Sequence, residues 1–187
     1  MIDFFEFCNK ISPLDNIASV ELSSILKLNS VKKNEPIVTR SPHAREFYFI
    51  KKGIVKLCFN GDGTEFTMRF FEAHTLLCDI ESCTKNEHSK YRIVAIEDTE
   101  FFSFSFFEFE KLCLTHHSLE TFYRRFMTMA NLNMMERISE ILEENATKRY
   151  NNFIKKKPHL LQRISLGELS NYLGITQVSL SRIRALK

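Results

Sequence analysis

The sequence predicts an α+β chain: a small antiparallel β-barrel or roll between helical segments, then a long amphipathic helix and a C-terminal helix-turn-helix. Three observations carry this. Apolar residues sit in short alternating runs between Phe47 and Phe104, they recur at three- and four-residue steps from Leu119 to Leu142, and Ile164 to Lys187 holds the packing and turn residues of two short crossed helices.

The strands come first. Phe47 to Ile50 is a compact aromatic and aliphatic run, Lys51-Lys52-Gly53 breaks it, and Ile54 to Phe59 resumes it before the strong hairpin turn Asn60-Gly61-Asp62-Gly63. Thr64 to Phe71 alternates around Phe66, Met68 and Phe70. Tyr91 to Ile96 and Glu100 to Phe104 add strands on either side of a Glu97-Asp98-Thr99 turn. Short strands with turns every eight to twelve residues or so suit a barrel or roll, and the phenylalanines are expected to pack it. Upstream, Ile17, Val20, Leu22, Ile25 and Leu26 predict a helix over 16–28, followed by a Ser30 to Glu35 segment leading into the first strand.

From Ser118 the spacing is helical again. Leu119, Phe122, Phe126, Met129 and then Leu132 or Asn133 lead on to Met135, Ile138 and Leu142. Such a stripe can pack on its own barrel or form a seam between two helices. The seam is the preferred reading, because helix-turn-helix proteins commonly read two half-sites as dimers.

The last segment is the most informative. Leu166, Leu169, Leu173, Ile175, Leu180 and Ile183 supply its core, Ser170 permits close crossing of two helices, and Gly174 suits a turn at positive φ. Ser165 with Glu168 fits a capping box, and Thr176 can cap the second helix. Gln177, Val178, Ser181 and Arg182 then face outward, flanked by Arg184 and Lys187, as a donor-rich face for a major groove.

Charge agrees. From Ala146 onward there are nine Lys or Arg against Glu168 alone, whereas the whole chain carries only +3, so the rest is acidic. A basic C-terminal fifth on an acidic body suits a phosphate-binding module joined to a domain with another task. Lys155 to Lys157 alone would read as a solvated charge run.

Composition sets the outer bounds. At 187 residues, 44% apolar and 26% charged, the chain has the make-up of a globular protein of one large or two small domains. It has no apolar run of membrane-spanning length, and its start, MIDFFEFCNK, lacks the marks of a secretory signal, so a cytoplasmic location is expected. Cys8, Cys58, Cys78, Cys83 and Cys113 are odd in number and form no C-x-x-C pair, which points to free thiols. Cys78 and Cys83 with His74 or His88 are the best metal candidates by proximity, but the expectation is no metal and no cofactor.

The order helix, β-roll, long helix, helix-turn-helix resembles the Crp/Fnr-type bacterial transcription regulators. The residues that carry the resemblance are Tyr48-Phe49-Ile50-Lys51-Lys52-Gly53-Ile54-Val55-Lys56, the Asn60 to Gly63 hairpin, Asp79, and Gly174-Ile175-Thr176 followed by Leu180-Ser181-Arg182-Ile183-Arg184. The resemblance implies a cyclic-nucleotide-binding-like, double-stranded β-helix (jelly-roll-like) effector domain over 1–117, a dimerisation helix over 118–134 with its seam at Leu119, Phe122, Phe126 and Met129, and a DNA-binding domain over 135–187. The chain stops at Lys187, so the β-hairpin wing usual in the family is expected to be lacking.

The same resemblance places the effector pocket at Cys78, Asp79, Ser89, Lys90 and Tyr91. Cyclic-nucleotide binders carry a Gly-Glu pair for the ribose and, about ten residues on, an arginine for the cyclic phosphate. Here Leu77-Cys78-Asp79 and Ser89-Lys90-Tyr91 stand in those places. A lysine is a point charge without the guanidinium fork. Losing such a partner for a buried phosphate costs on the order of 2 to 5 kcal/mol, so cyclic AMP is not the expected signal. Lys90 or Arg92 leaves open another anionic metabolite. An iron-sulfur cluster lacks its clustered cysteines, and nothing singles out a haem ligand.

On the DNA side, Gln177, Val178 and Arg182 fill the positions that family members use for base contact. Gln177 suits adenine, Arg182 guanine and Val178 a thymine methyl, while Thr176, Ser179 and Arg184 suit phosphates. The function expected is a homodimeric, sequence-specific transcription regulator on double-stranded DNA with a palindromic operator, with RNA polymerase and an unidentified small-molecule effector as further partners. The alternative is a ligand-binding or interaction module with a vestigial DNA motif. No phosphate loop, nucleophile elbow or His-Glu metal helix supports an enzyme.

Overall fold

The computed structural model describes residues 1–38, 45–85 and 90–185. Helices α1 (Ile2–Ile11) and α2 (Asn16–Ile25) precede the strands β1 (Lys27–Val31), β2 (Pro36–Val38), β3 (Glu46–Lys52), β4 (Ile54–Gly61), β5 (Thr64–Glu72) and β6 (Thr75–Leu77). Helix α3 (Ile80–Lys85), strands β7 (Arg92–Ala95) and β8 (Thr99–Ser105), and helix α4 (Phe106–Thr115) follow. The chain then runs through α5 (His117–Glu143), α6 (Ala146–Lys156), a 3₁₀ turn at Pro158–Gln162, α7 (Leu166–Leu173) and α8 (Gln177–Ala185).

The strands make two four-stranded sheets, ordered β1-β8-β3-β6 and β2-β7-β4-β5. Neighbours in space are distant in sequence, as a roll requires. Phe49 of β3 lies opposite Phe102 of β8 on one side and Leu76 of β6 on the other. The β4–β5 turn has φ of 48° at Asp62 and 80° at Gly63. Two successive positive φ values give the primed turn that matches strand twist.

Alternation along β3 sorts its side chains onto two faces. Tyr48 and Ile50 join Val55, Leu77, Ile93 and Phe101 between the sheets, whereas Phe47 and Phe49 face a helical layer with Phe4, Leu22, Phe102, Phe104, Phe106, Phe109, Leu119 and Phe122. The phenylalanines therefore do not chiefly fill the roll, as the sequence suggested. They seat α1, α2, α4 and the start of α5 on its outside. Phe47 is the hub, with ring centroids 5.0 Å from Phe104, 5.2 Å from Phe109 and 5.6 Å from Phe106.

This layer corrects the expected seam. Leu119 and Phe122 are 0% and 1% exposed, and Phe126 stacks on Phe122 at 6.1 Å while meeting Phe7 and Phe47. Leu119 and Phe122 are spent within the chain and cannot also face a second helix, whereas Phe126 is half-buried and Met129, the last of the four expected seam residues, is 47% exposed. Beyond them the stripe is bare, with Leu132 57%, Met135 59% and Leu142 78% exposed. The cause is angular. Successive residues turn by about 100°, so a step of three falls about 60° short of a turn. From Phe126 through Met129, Leu132 and Met135 to Ile138 every step is three, and the stripe winds about 240° around the helix.

Two compact units result: Met1–Leu57 with Phe70–Met129, and Cys58–Arg69 with the chain from Ala130 onward. The boundary expected at 134 falls inside the unbroken α5, and the tip of the β4–β5 hairpin groups with the C-terminal helices. Among the described residues, no helix is long and apolar enough to cross a membrane.

Candidate DNA-binding interface and effector region

The C-terminal unit is assembled through caps and small residues. Asn145 caps α6 by accepting from the Lys148 amide at 2.9 Å, and Tyr150 and Phe153 of α6 are buried. Ser165 Oγ accepts from the Glu168 amide at 3.1 Å, while Glu168 Oε2 accepts from the Ser165 amide at 2.8 Å, closing the expected capping box. Gly174 ends α7 at φ 65°, in the left-handed region where glycine is unstrained. The Ile175 amide donates to the Ser170 carbonyl at 3.1 Å across that turn.

Helix α8 starts at once. Thr176 Oγ1 accepts from the Ser179 amide at 3.1 Å, and Leu180 is buried with Leu169, Ser170 and Leu173. Thr176, Gln177, Val178, Ser179, Ser181, Arg182 and Arg184 are all exposed. A Cβ on Gly167 would lie 3.2 Å from Gln177 Nε2, so glycine there lets the Gln177 amide lie close over α7. Neither Arg182 nor Arg184 has an ion-pair partner among the described residues. Two guanidinium groups and several small hydroxyls thus face solvent on a helix thin enough for a major groove. Val178, 62% exposed, is the apolar interruption.

Some other cations of this unit are already engaged. Arg149 Nε donates to the Leu173 carbonyl at 3.0 Å and its Nη1 to the Glu144 carbonyl, and Lys148 lies 3.4 Å from Glu144. Lys155 and Lys156 are exposed. The basic count of the sequence therefore overstates the charge free for phosphates.

The described candidate effector residues differ in burial and partners. Asp79 is 5% exposed and caps α3: its Oδ1 accepts from the Ser82 amide at 3.4 Å and its carbonyl from the Cys83 amide at 3.1 Å. Its Oδ2 is buried and has no hydrogen-bond partner among the described residues. Cys78 hydrogen-bonds Cys83, and that bond with burial pushes its thiol well above the ordinary range. Lys90, by contrast, is on the surface, 3.0 Å from Glu81 and 5.2 Å from the Tyr91 ring centroid. Lys90, with Lys85 beside it, holds Glu81 below the usual carboxylate range. Ser89 lies outside the described residues, as does Lys187. The ammonium offered by the sequence as a phosphate partner is already paired. Among the described residues, no three His, Cys, Asp or Glu side chains cluster as metal ligands.

Residues 28–116 match the cyclic nucleotide-binding domain family. A transcriptional regulator of the Crp/Fnr family from Eubacterium rectale superposes with a TM-score of 0.76 at 18% identity, over 96% of this chain and 85% of that one. FixK2 from Bradyrhizobium japonicum gives 0.72 at 17% identity, over 87% and 84%. The c-di-GMP responsive global regulator CLP of Xanthomonas campestris gives 0.67 at 15%, over 90% and 89%. No curated protein matches the sequence. Residues 28–116 are thus similar to the cyclic nucleotide-binding domain family, and the chain shares the fold of these solved Crp/Fnr-type regulators.

Proposed function

We propose that this protein is a sequence-specific DNA-binding transcription regulator that acts as a homodimer on a palindromic operator. The observation that carries the proposal is the outer face of α8, where Gln177, Ser181 and Arg182 stand exposed after a capped start and a left-handed glycine turn. Gln177 reads adenine, Arg182 guanine and Val178 a thymine methyl, and Thr176, Ser179 and Arg184 hold phosphates. The dimer seam in this reading is the bare stripe Leu132, Met135, Ile138 and Leu142, not the buried Leu119 and Phe122. Exposed apolar side chains at steps of three and four on one helix favour a second copy of that helix.

The roll serves as the sensor, and cyclic AMP is not its signal. A cyclic phosphate would meet no guanidinium at Lys90, whose charge is spent on Glu81. An effector or protein contact at the roll acts by changing the spacing of the two recognition helices, with RNA polymerase as the downstream partner. Selection of bound duplexes from a random pool, with and without cell extract, tests the proposal. A palindromic winner is expected, and an extract-dependent gain would reveal a ligand. Failure to enrich any duplex would favour a ligand-binding or interaction module with a vestigial DNA motif. Added cyclic AMP is expected to leave the melting temperature unchanged; a dose-dependent rise would overturn that part.

A further inference from the structure

The C-terminal end of α7 is held by arginines from other helices. A helix leaves its last carbonyls without partners and with partial negative charge. Here the two final carbonyls of α7 are each taken by a guanidinium: Arg137 of α5 donates through Nη2 to the Tyr172 carbonyl, and Arg149 of α6 donates through Nε to the Leu173 carbonyl at 3.0 Å. Arg137 also stacks over the Tyr172 ring, 3.9 Å from its centroid, and its Nη1 meets Glu140 Oε2 at 2.5 Å. The Arg137 and Glu140 side chains are only 11% and 15% exposed, so this ion pair is built into the packing. Phe153 of α6 also meets the Tyr172 ring, with centroids 5.3 Å apart.

The next residue is Gly174, the pivot between α7 and α8. Arg137 sits on the same helix segment as Met135 and Ile138, the bare stripe. Arg137 thus ties α5, and Arg149 ties α6 and the Glu144 carbonyl just after α5, to the end of α7 that leads into the turn before α8. We infer that Arg137 and Arg149 are positioning residues for DNA recognition, which fix the angle of the reading helix to α5 and so set the half-site spacing the protein accepts. They touch no DNA. The inference rests on the reading of α8 as a DNA-binding helix and of the stripe as a dimer seam.

The test uses the full chain, a duplex recovered by selection, and versions of it with one to three base pairs inserted between half-sites. Arg137→Ala and Arg149→Ala are expected to lower affinity for the native spacing about tenfold or more. They should also flatten the preference for that spacing, while leaving the slope of log affinity against log salt unchanged. An arginine on a phosphate would instead reduce that slope by about one, and this result would overturn the inference. Affinity lost equally at every spacing, with discrimination retained, would show a merely structural role and overturn it too.

Arg137→Lys guards against misfolding. Its ammonium can hold the Tyr172 carbonyl but lacks the fork that meets Glu140 at the same time, so an intermediate loss of spacing preference is expected; wild-type behaviour would count against the inference. Hydrogen exchange without DNA completes the test. The Gly174 and Ile175 amides should exchange about tenfold faster in Arg137→Ala while the α6 amides hold, and unchanged exchange would refute the clamp. Wild-type protein that binds no duplex refutes the DNA reading itself, which keeps the two failures apart.

Discussion

The two halves of α5 share one apolar rhythm and meet opposite fates. Leu119, Phe122 and Phe126 are enclosed by the phenylalanines of α1, α4 and β3, whereas Leu132, Met135, Ile138 and Leu142 project into solvent. Spacing alone records that a side is apolar. It does not record what covers that side. The steps of three from Phe126 to Ile138 move the stripe off the face that meets the roll and onto a second one. One helix therefore serves as a strut for its own domain and then as a candidate surface for a second chain.

Substitutions on either half separate these roles. Phe122→Ala should cost about 3 to 5 kcal/mol in a urea titration, because a fully buried aromatic leaves both a lost transfer term and a cavity. A loss below about 1 kcal/mol would place Phe122 at a surface and restore the expected seam. Arg182→Ala, on the reading helix, should cost about 1 to 3 kcal/mol of operator affinity with the dimer intact. Unchanged affinity in an anisotropy titration would remove α8 from the interface. Gly174→Ala has open space for its methyl group, so only the φ of 65° opposes it. About 1 kcal/mol of stability should be lost, and a neutral change would show that the turn tolerates other conformations.

Alkaline pH titrates buried groups in both units: burial raises the phenols of Tyr48, Tyr123 and Tyr172, whereas no cysteine follows Cys113 and thiol labelling reports on the N-terminal side alone. Burial raises Cys8 above its ordinary value of 9.0, Cys78 is raised by its bond to Cys83 and by burial, and Cys113 is pushed up to about 12, chiefly by burial. Folding keeps these thiols protonated. Their contribution is whole below about pH 9 and is lost as pH rises from there toward 12. The melting temperature should fall over that window, and thiol reagents should label Cys8 and Cys78 slowly until the protein unfolds. Rapid labelling of both at neutral pH would contradict the burial.

Much of this was legible in the sequence. The capping box at Ser165 and Glu168, the Gly174 turn and the cap by Thr176 are local signals, and the structure has each of them. The same holds for the Asn60 to Gly63 hairpin, which needs only two adjacent residues at positive φ. Helices α1, α3 and α4 were missed. In α1 and α4 the aromatic residues favour strands by propensity, and Phe101 to Phe109 keeps an alternating pattern straight through the strand-to-helix junction. The available signal was Ser105 with Glu108, an S-x-x-E pair whose Ser105 hydroxyl does accept from the Glu108 amide at 3.3 Å.

The effector region was harder to read, because proximity in sequence gave no direction. Asp79 and Lys90 were paired on paper as an altered phosphate site. In the fold one is buried as a helix cap and the other is on the surface with Glu81. The arginines on α7 escaped for a related reason. Arg149 was counted with the basic charge of the C-terminal fifth, and only the fold turns it from solvent to the Leu173 carbonyl.

In the proposed dimer the bare half of α5 brings two reading helices together. Its most direct test is the mass of the complex on a selected duplex by light scattering, with wild type and Ile138→Glu side by side. Two chains per duplex are expected for wild type. For Ile138→Glu the two-chain complex should be lost, with protomer stability in urea within about 0.5 kcal/mol of wild type, since Ile138 is 50% exposed in the single chain. One wild-type chain per duplex, or a two-chain complex that survives the glutamate, would contradict it.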